Sequence, residues 1–224
     1  MRRAVESLLF DLDNTLIDRT GAFYRFCIEL YRSNDALRGT STEAEAVALM
    51  VELDEDGLCD RHRLFEQVIS KWPGAFRDED EAVEFYMRRF LPLISLDPRT
   101  RCFLNDLKSR GFPLGIVTNG GSEAQWAKVR SSGLEQLVDH VIVSGDLGIQ
   151  KPNPGIFEFA LAKMKAKAES TLLVGDNPTA DILGALGMGM VSAWIRLGRD
   201  WPFNHPRPDY IIDHVWEASE IVFG

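Results

Sequence analysis

The chain has 224 residues, of which 45% are hydrophobic and 26% are charged, and its formal net charge is −9. Nucleic acid and anionic membranes repel negative charge, so neither is expected as the main partner of so acidic a chain. The three cysteines form no Cys-x-x-Cys pair, and no apolar stretch approaches the ~18 residues of a membrane span. These features predict a soluble, cytoplasmic protein, and no obligate protein partner is inferred.

The first predicted element is a short buried strand that is followed at once by two carboxylates. Residues 8–10 are apolar, too few for a helix and without polar alternation, which favours a strand covered on both faces. Asp11 and Asp13 follow at the strand end, and their i, i+2 spacing puts both on one side. Two adjacent carboxylates repel each other unless a cation or a proton lies between them. An isolated Asp-x-Asp is more often a solvated turn, so its interpretation depends on the rest of the chain.

Residues 18–92 have the periodicity of helices alone. Apolar stripes predict four helices, at residues 23–31, 44–51, 64–72 and 82–90. Because α/β folds usually alternate strands and helices, an uninterrupted helical run indicates an inserted bundle rather than four helices packed on the main sheet. The predicted domains are therefore an α/β core of residues 1–17 and 93–224 and a helical insertion of residues 18–92.

Strands and helices alternate over the remainder of the chain. The predicted strands cover residues 112–117, 138–143, 171–174, 190–195 and 210–212. The predicted helices cover residues 98–110, 123–131, 154–167 and 180–186. This alternation predicts a Rossmann-like α/β core, a doubly wound parallel sheet with helices on both faces.

Polar residues follow three more of the predicted strands. Thr118 and Asn119 follow the second strand, Lys151 lies after the third, and Asp176 and Asp181 follow the fourth. Because the carboxyl ends of parallel strands lie at one edge of a sheet, these residues are expected to share a site with the two carboxylates of the first strand. Neither a Walker loop nor a Gly-x-Gly-x-x-Gly motif occurs, which argues against the commonest nucleotide cofactors.

The four motifs, in this order, resemble the haloacid dehalogenase superfamily. They are Asp-x-Asp-x-Thr at 11–15, Thr-Asn at 118–119, Lys-Pro at 151–152 and Gly-Asp-x-x-x-x-Asp at 175–181. The resemblance covers the whole core, and the helical insertion matches the position of that family's helical cap. The residues within these motifs are similar to those of the phosphatase branch, in particular of pyrimidine 5′-nucleotidases and N-acylneuraminate-9-phosphatases. The resemblance implies hydrolysis of a small phosphorylated metabolite, such as a nucleoside monophosphate or a sugar phosphate.

The resemblance assigns a role to each motif residue. Asp11 would be the nucleophile that forms an aspartyl-phosphate, and Asp13 would be the general acid–base. Thr118 and the backbone amide of Asn119 would bind the phosphoryl oxygens. Lys151 would supply a fixed positive charge to both Asp11 and the phosphate.

A Mg²⁺ ion is also implied by the resemblance. Asp176 and the Asp11 carboxylate would bind it directly, together with the backbone carbonyl of Asp13. Asp181 would not bind the ion itself but would orient a metal-bound water or Lys151. Four carboxylates that face a phosphate dianion repel it strongly, so both cations are electrostatic requirements of such a site.

The acid at Asp13 favours a phosphatase over other branches of the superfamily. The dehalogenases place a non-acidic residue there, and the phosphonate-cleaving branch lacks this acid and uses a cap lysine. A phosphomutase acting on a sugar phosphate uses the same pair of aspartates and stays open as an alternative. A non-catalytic binding module on the same fold is the other alternative, although every catalytic position carries a competent residue.

One segment of the helical insertion, residues 56–63, is a candidate for substrate selectivity. It contains a glycine and a cluster of hydrogen-bonding cationic groups, Arg61, His62 and Arg63. If this segment faces the site, these side chains could contact a polar leaving group. The alternative interpretation is a solvated helix start at which an aspartate precedes exposed arginines.

Overall fold

The computed structural model describes residues 4–202 and 204–224; residues 1–3 of the predicted core and Phe203 lie outside the described residues. The chain forms two compact units. The first unit contains Met1–Ile17 and Leu96–Gly224, and the second contains Asp18–Ser95. No helix of the described residues combines the length and the apolar character that crossing a membrane requires.

A six-stranded sheet forms the centre of the first unit. Its strands are β1 (Ser7–Phe10), β2 (Leu114–Thr118), β3 (His140–Val143), β4 (Thr171–Gly175), β5 (Val191–Ile195) and β6 (Tyr210–Ile212). The strand order is β3-β2-β1-β4-β5-β6, and every neighbouring pair is parallel. All residues of β1, β2, β4 and β5 are buried, as expected of apolar strands in a parallel sheet that is covered on both faces. The predicted doubly wound α/β fold is confirmed.

The helices of this unit connect the strands and follow the last of them. They are α6 (Pro98–Ser109), α7 (Ser122–Ser132), α8 (Ser144–Leu147), α9 (Pro154–Met164), α10 (Gly184–Gly187) and α11 (Ala218–Phe223). α9 ends at Met164, earlier than predicted, because Lys165 adopts a left-handed backbone conformation with φ of 53°. The helix predicted over residues 180–186 is a wide π-type turn, Pro178–Leu183, that leads into α10.

The strand order determines which strand ends lie next to each other. Phe10, the last residue of β1, pairs with Ile116 of β2 on one side and with Val174 of β4 on the other. Asp11 therefore follows directly at the position where the order of the strands reverses. Ligands of doubly wound sheets bind at the carboxyl ends of the strands at this position.

The second unit is a bundle of helices with an aromatic core. Its helices are α1 (Arg19–Ser33), α2 (Asp35–Arg38), α3 (Glu43–Asp54), α4 (Arg61–Lys71) and α5 (Glu79–Phe90). Four of them correspond to the four predicted apolar stripes, and the short α2 is additional. The rings that pack against one another include Phe23, Phe26, Phe65, Tyr86 and Phe90. The side chains of the predicted apolar stripes thus form the core of this unit.

A buried ion cluster lies inside the helical unit. Arg19 and Asp54 are only 3% and 2% exposed, and both terminal nitrogens of the Arg19 guanidinium donate to the Asp54 carboxylate. Arg61 donates from Nη1 to Asp54 Oδ1 at 2.7 Å and from Nη2 to the Cys59 carbonyl at 2.8 Å. The Arg19 guanidinium also lies over the ring of Phe23, 4.8 Å from its centroid. A carboxylate at this depth requires such partners, because an unpaired buried charge is strongly unfavourable.

Replacing Arg19 by methionine is expected to destabilise the protein by about 3 kcal/mol, because it leaves a buried carboxylate with one cationic partner fewer. Denaturant unfolding of the variant measures this loss. Arg25→Met is the matched control, because Arg25 forms an exposed pair with Asp18 at 3.6 Å and its removal should change stability little. Equal stability of the two variants would contradict a structural role for the buried pair.

Candidate active site

Three carboxylates meet at the ends of β1 and β4. Asp11, Asp176 and Asp181 each contribute a carboxylate oxygen, and these oxygens lie within 4.8 Å of one another. Asp181 approaches from the π-type turn, and its carboxyl group passes close to Gly175. A Cβ atom at Gly175 would lie 2.4 Å from the Asp181 Cγ, so only glycine leaves room for this approach.

Lys151 lies between two of these carboxylates. Its Nζ is 2.6 Å from Asp11 Oδ1 and 2.6 Å from Asp181 Oδ1, and its side chain is almost completely buried. The side chain of Asn119 fixes the backbone of Lys151: Asn119 Nδ2 donates to the Lys151 carbonyl at 2.9 Å, and the Lys151 N–H donates to Asn119 Oδ1 at 2.8 Å. The two loops after β2 and β3 are thereby joined beside the carboxylates.

The protein groups alone leave this site with an excess of negative charge. Burial raises the pKa of Asp11 to about 8; Lys151 opposes this rise, and the charges of Asp181 and Asp176 add to it. Burial and the charge of Asp181 raise the pKa of Asp176 to about 7, against the opposing effect of Arg199. Burial lowers the pKa of Lys151, but Asp11 and Asp181 outweigh burial and raise it overall. A further cation would relieve the remaining repulsion.

The donors at this edge of the sheet fit a hard divalent cation. Carboxylate and carbonyl oxygens are the ligands that Mg²⁺ prefers. Both oxygens of Asp181 already accept hydrogen bonds, Oδ1 from Lys151 and Oδ2 from the Asn177 N–H at 2.9 Å. This arrangement leaves Asp181 less available than Asp11 and Asp176 as a direct ligand of such a cation.

Arg199 and Trp194 contact Asp176, and sequence reasoning did not identify either. Arg199 Nη2 donates to the Asp176 carbonyl at 2.8 Å and to its Oδ2 at 3.0 Å, and Trp194 Nε1 donates to the same carbonyl at 2.8 Å. Trp194 belongs to β5, and Arg199 lies in the segment between β5 and β6. No motif marks these residues, because their contact with Asp176 arises only when the strands are side by side.

Asp13 is held by two residues of α7 that sequence reasoning also missed. Lys128 Nζ lies 2.8 Å from Asp13 Oδ1 and 2.7 Å from Oδ2. Gln125 Nε2 donates to Asp13 Oδ2 at 3.0 Å and to Thr118 Oγ1 at 2.5 Å. In a predicted helix, a lysine and a glutamine three residues apart resemble ordinary polar positions. The only available signal was that both fall on one helix face.

The candidate selectivity residues belong to the helical unit. Asp60 caps the start of α4 and accepts from the N–H groups of His62 and Arg63, as the alternative interpretation of a helix start proposed. Arg61 donates to Asp54, and His62 Nε2 lies 3.3 Å from Asp80 Oδ1. Arg63 is exposed. Arg61 and His62 thus each have a carboxylate partner inside their own unit.

Known proteins resemble this chain along most of its length. The family model described as haloacid dehalogenase-like hydrolase matches residues 5–189. A glyceraldehyde 3-phosphate phosphatase from Methanothermobacter thermautotrophicus is 32% identical, over 97% of this chain and 100% of its own. The N-acylneuraminate-9-phosphatase of Rattus norvegicus is 26% identical, over 97% of this chain and 94% of its own.

Solved structures give a similar result. The putative HAD-hydrolase YfnB from Bacillus subtilis, bound to magnesium in its crystal, matches with a TM-score of 0.80 and 25% identity, over 99% of this chain and 100% of its own. A 2-haloacid dehalogenase from Pseudomonas syringae matches with a TM-score of 0.66 and 27% identity, over 97% of this chain and 98% of its own. The fold is thus one that serves more than one reaction.

The raised carboxyl pKa values predict that the metal-free protein loses stability as the pH rises from 5 to 8. Asp11 and Asp176 are ionised above their ordinary pKa of 3.8 in the unfolded chain, but retain protons up to about pH 8 and 7 in the folded protein. The folded state therefore binds more protons across this window, and the free energy of unfolding falls with rising pH. Thermal unfolding in a chelator measures this slope, and Mg²⁺ should stabilise the protein more at pH 8 than at pH 5.

Asp11→Asn provides the control, because it removes one of the two titrating groups and should make the pH slope shallower. The difference between the slopes of the variant and the wild type isolates the contribution of Asp11 from that of all other groups. An identical slope in the variant would contradict the raised pKa of Asp11.

Proposed function

The chain belongs to the haloacid dehalogenase-like hydrolases, and from this membership we propose that it is a phosphatase that hydrolyses small phosphomonoesters through a phosphorylated Asp11. The observation that carries the proposal is the position of Asp11. Its buried carboxylate lies at the strand-order reversal, 2.6 Å from the Lys151 ammonium, and Asp13 follows two residues later. A nucleophile beside a cation and a second acid is the arrangement that phosphoryl transfer from an ester requires.

The first half of the proposed reaction transfers the phosphoryl group to the protein. A carboxylate oxygen of Asp11 attacks phosphorus, and the bond from phosphorus to the leaving oxygen breaks. Asp13, in its protonated form, gives its proton to that leaving oxygen, so an alcohol departs. Lys151 offsets the negative charge that Asp11 and the phosphate bring together.

The second half returns the protein to its starting state. A water molecule attacks phosphorus, and Asp13 accepts a proton from that water. The bond between phosphorus and the Asp11 oxygen breaks, which regenerates the carboxylate and releases inorganic phosphate. Because Asp13 acts first as an acid and then as a base, one side chain serves both steps.

Thr118 and the Asn119 backbone amide are the proposed ligands of the phosphoryl oxygens. Thr118 Oγ1 accepts a hydrogen bond from Gln125 at 2.5 Å, so its hydroxyl proton can be donated to a phosphoryl oxygen. The side chain of Asn119 is engaged with the Lys151 backbone, which leaves the amide of Asn119 as the donor toward the ligand. Lys151 thus contributes a positive charge through its side chain and fixes the Asn119 side chain through its backbone.

A Mg²⁺ ion is the proposed cofactor, held by the carboxylates of Asp11 and Asp176 and the backbone carbonyl of Asp13. When bound it would neutralise the carboxylates and help to orient the phosphoryl group. The raised pKa values of Asp11 and Asp176 support a cation at this position. The Bacillus subtilis relative was crystallised with magnesium, which supports the same identity of the ion.

The proposed substrate is a small, polar phosphorylated metabolite such as a sugar phosphate or a nucleoside monophosphate. Relatives are named for glyceraldehyde 3-phosphate, for phosphoserine and for N-acylneuraminate 9-phosphate, all of which are small polar phosphoesters. The three cysteines are free thiols, which supports a cytoplasmic location. A panel of phosphorylated metabolites, assayed for released inorganic phosphate, would identify the substrate and would distinguish hydrolysis from a phosphomutase reaction, which releases none.

Asp11→Asn is expected to reduce the hydrolysis of p-nitrophenyl phosphate by about 10³-fold or more, because an amide cannot form the acyl-phosphate. The change is nearly isosteric and removes a buried charge, so the thermal midpoint should hold or rise. Asp106→Asn, at a half-buried position on α6 outside the site, is the control and should retain full activity. Chelator should abolish wild-type activity and Mg²⁺ should restore it. A variant that keeps a tenth of wild-type turnover would overturn Asp11 as the nucleophile.

Substrate selectivity is proposed to come from the helical unit, because the core motifs have proposed roles toward the phosphoryl group alone. Arg63→Ala should lower kcat/KM for the best metabolite by roughly tenfold and leave p-nitrophenyl phosphate unchanged. Arg77→Ala, which removes another exposed arginine of that unit, is the matched control. Arg61 and His62 are secondary candidates, and Arg61→Ala would also remove a partner of Asp54. Equal losses on both substrates, or none on either, would count against Arg63 as a selectivity residue.

A further inference from the structure

One face of α7 carries buried polar side chains where a helix against a sheet normally carries apolar ones. Gln125 is 2% exposed and Lys128 is 7% exposed, and their three-residue spacing places them on the same face. Burying an ammonium group is unfavourable unless a partner compensates its charge. A leucine or methionine at residue 128 would fill the space without that cost. Packing alone therefore does not account for this lysine.

The partner of both side chains is Asp13. Lys128 Nζ contacts both carboxylate oxygens, at 2.8 and 2.7 Å, and Gln125 Nε2 donates to Oδ2 at 3.0 Å. The Asp13 side chain is 24% exposed, so close packing alone does not fix its rotamer. Two donor atoms, Lys128 Nζ and Gln125 Nε2, thus make three contacts that orient this carboxylate.

Gln125 extends this arrangement to the proposed phosphoryl ligand. Its Nε2 also donates to Thr118 Oγ1 at 2.5 Å, so one amide group connects the Asp13 carboxylate with the Thr118 hydroxyl. The backbone provides the space for this connection at Gly120, where φ is +148°. A Cβ atom at Gly120 would lie 2.8 Å from Gln125 Cγ and 2.9 Å from its Cδ. The Gln125 side chain can thus adopt this conformation only because residue 120 is a glycine.

We infer that Lys128 and Gln125 are positioning residues that orient the Asp13 carboxylate for proton transfer to the leaving oxygen. The inference rests on the proposed function, because the orientation of Asp13 matters only if this group protonates a leaving group. Proton transfer requires the donor and acceptor to lie about 2.6–3.2 Å apart. A displacement of about 1 Å can reduce a rate by about 10²-fold.

The test compares two substrates whose leaving groups differ in their need for a proton. An alkyl phosphate releases a strongly basic alkoxide that requires protonation, whereas p-nitrophenyl phosphate releases a stable phenolate. Lys128→Met should lower kcat/KM for the alkyl phosphate by about 10- to 100-fold and that for p-nitrophenyl phosphate by less than about threefold. Asp13→Asn should show the same preference with a larger loss. The ratio kcat/KM is compared because it covers the steps from free protein and substrate to cleavage of the ester bond, the step in which Asp13 protonates the leaving oxygen.

A double-mutant cycle separates positioning from general damage to the fold. If Lys128 acts only through Asp13, adding Lys128→Met to Asp13→Asn should cause no further loss of kcat/KM. Lys128→Arg keeps a cationic donor and should recover part of the alkyl phosphate activity. Gln125→Met is a second variant that removes one donor and should give a smaller loss with the same preference. Arg130→Met removes an exposed cation of α7 and should change neither substrate.

Three results would overturn the inference: equal losses on both substrates, a Lys128→Met loss that persists in full in the Asp13→Asn background, or wild-type activity of both Lys128→Met and Gln125→Met. A different result would implicate the proposed function itself. If Asp13→Asn retained wild-type kcat/KM on the alkyl phosphate, the acid–base role of Asp13 would be wrong. Thermal unfolding of each variant establishes that the measured proteins are folded, and Gln125→Met decides the question if Lys128→Met does not fold.

Discussion

The buried contact of Lys151 with Asp11 and Asp181 is the interaction on which the rest of the site depends. Its Nζ lies 2.6 Å from an oxygen of each carboxylate, and all three side chains are buried. Buried charges persist only when they are paired, so removing the Lys151 ammonium would leave two buried carboxylates without their cationic partner. One ammonium does not balance two carboxylates and the neighbouring Asp176. The remaining negative charge favours the binding of a further cation at this edge of the sheet.

The fold supplies this contact through a few local features. The parallel order of the strands brings the ends of β1 and β4 together, and the close approach of Asp181 requires the glycine at residue 175. The Asn119 side chain then holds the backbone of Lys151 on both sides, through its N–H and its carbonyl. Each of these features is a local contact, and together they determine the positions of Asp11, Lys151 and Asp181. The position of the buried charges is therefore determined by the sheet and its loops.

The sequence predicted the sheet and the motif residues because both depend on local patterns. Apolar runs predict buried strands, and polar residues directly after them must lie at one edge of a parallel sheet. The contacts of Lys128 and Arg199 could not be predicted in this way. A lysine on a helix resembles a solvated position, and an arginine in a segment between strands has no periodicity. Lys165 shows the same limit, because nothing in a run of alanines and lysines indicated that its left-handed backbone would end α9 early.

Trapping the phosphorylated protein tests the central claim most directly. The wild-type protein, mixed with Mg²⁺ and a substrate carrying labelled phosphorus, is quenched with acid during turnover and digested. We expect the label on the peptide that contains Asp11, with the lability to hydroxylamine that marks an acyl-phosphate. Label on a different residue, or substrate turnover with no label on the protein at any quench time, would contradict covalent catalysis by Asp11.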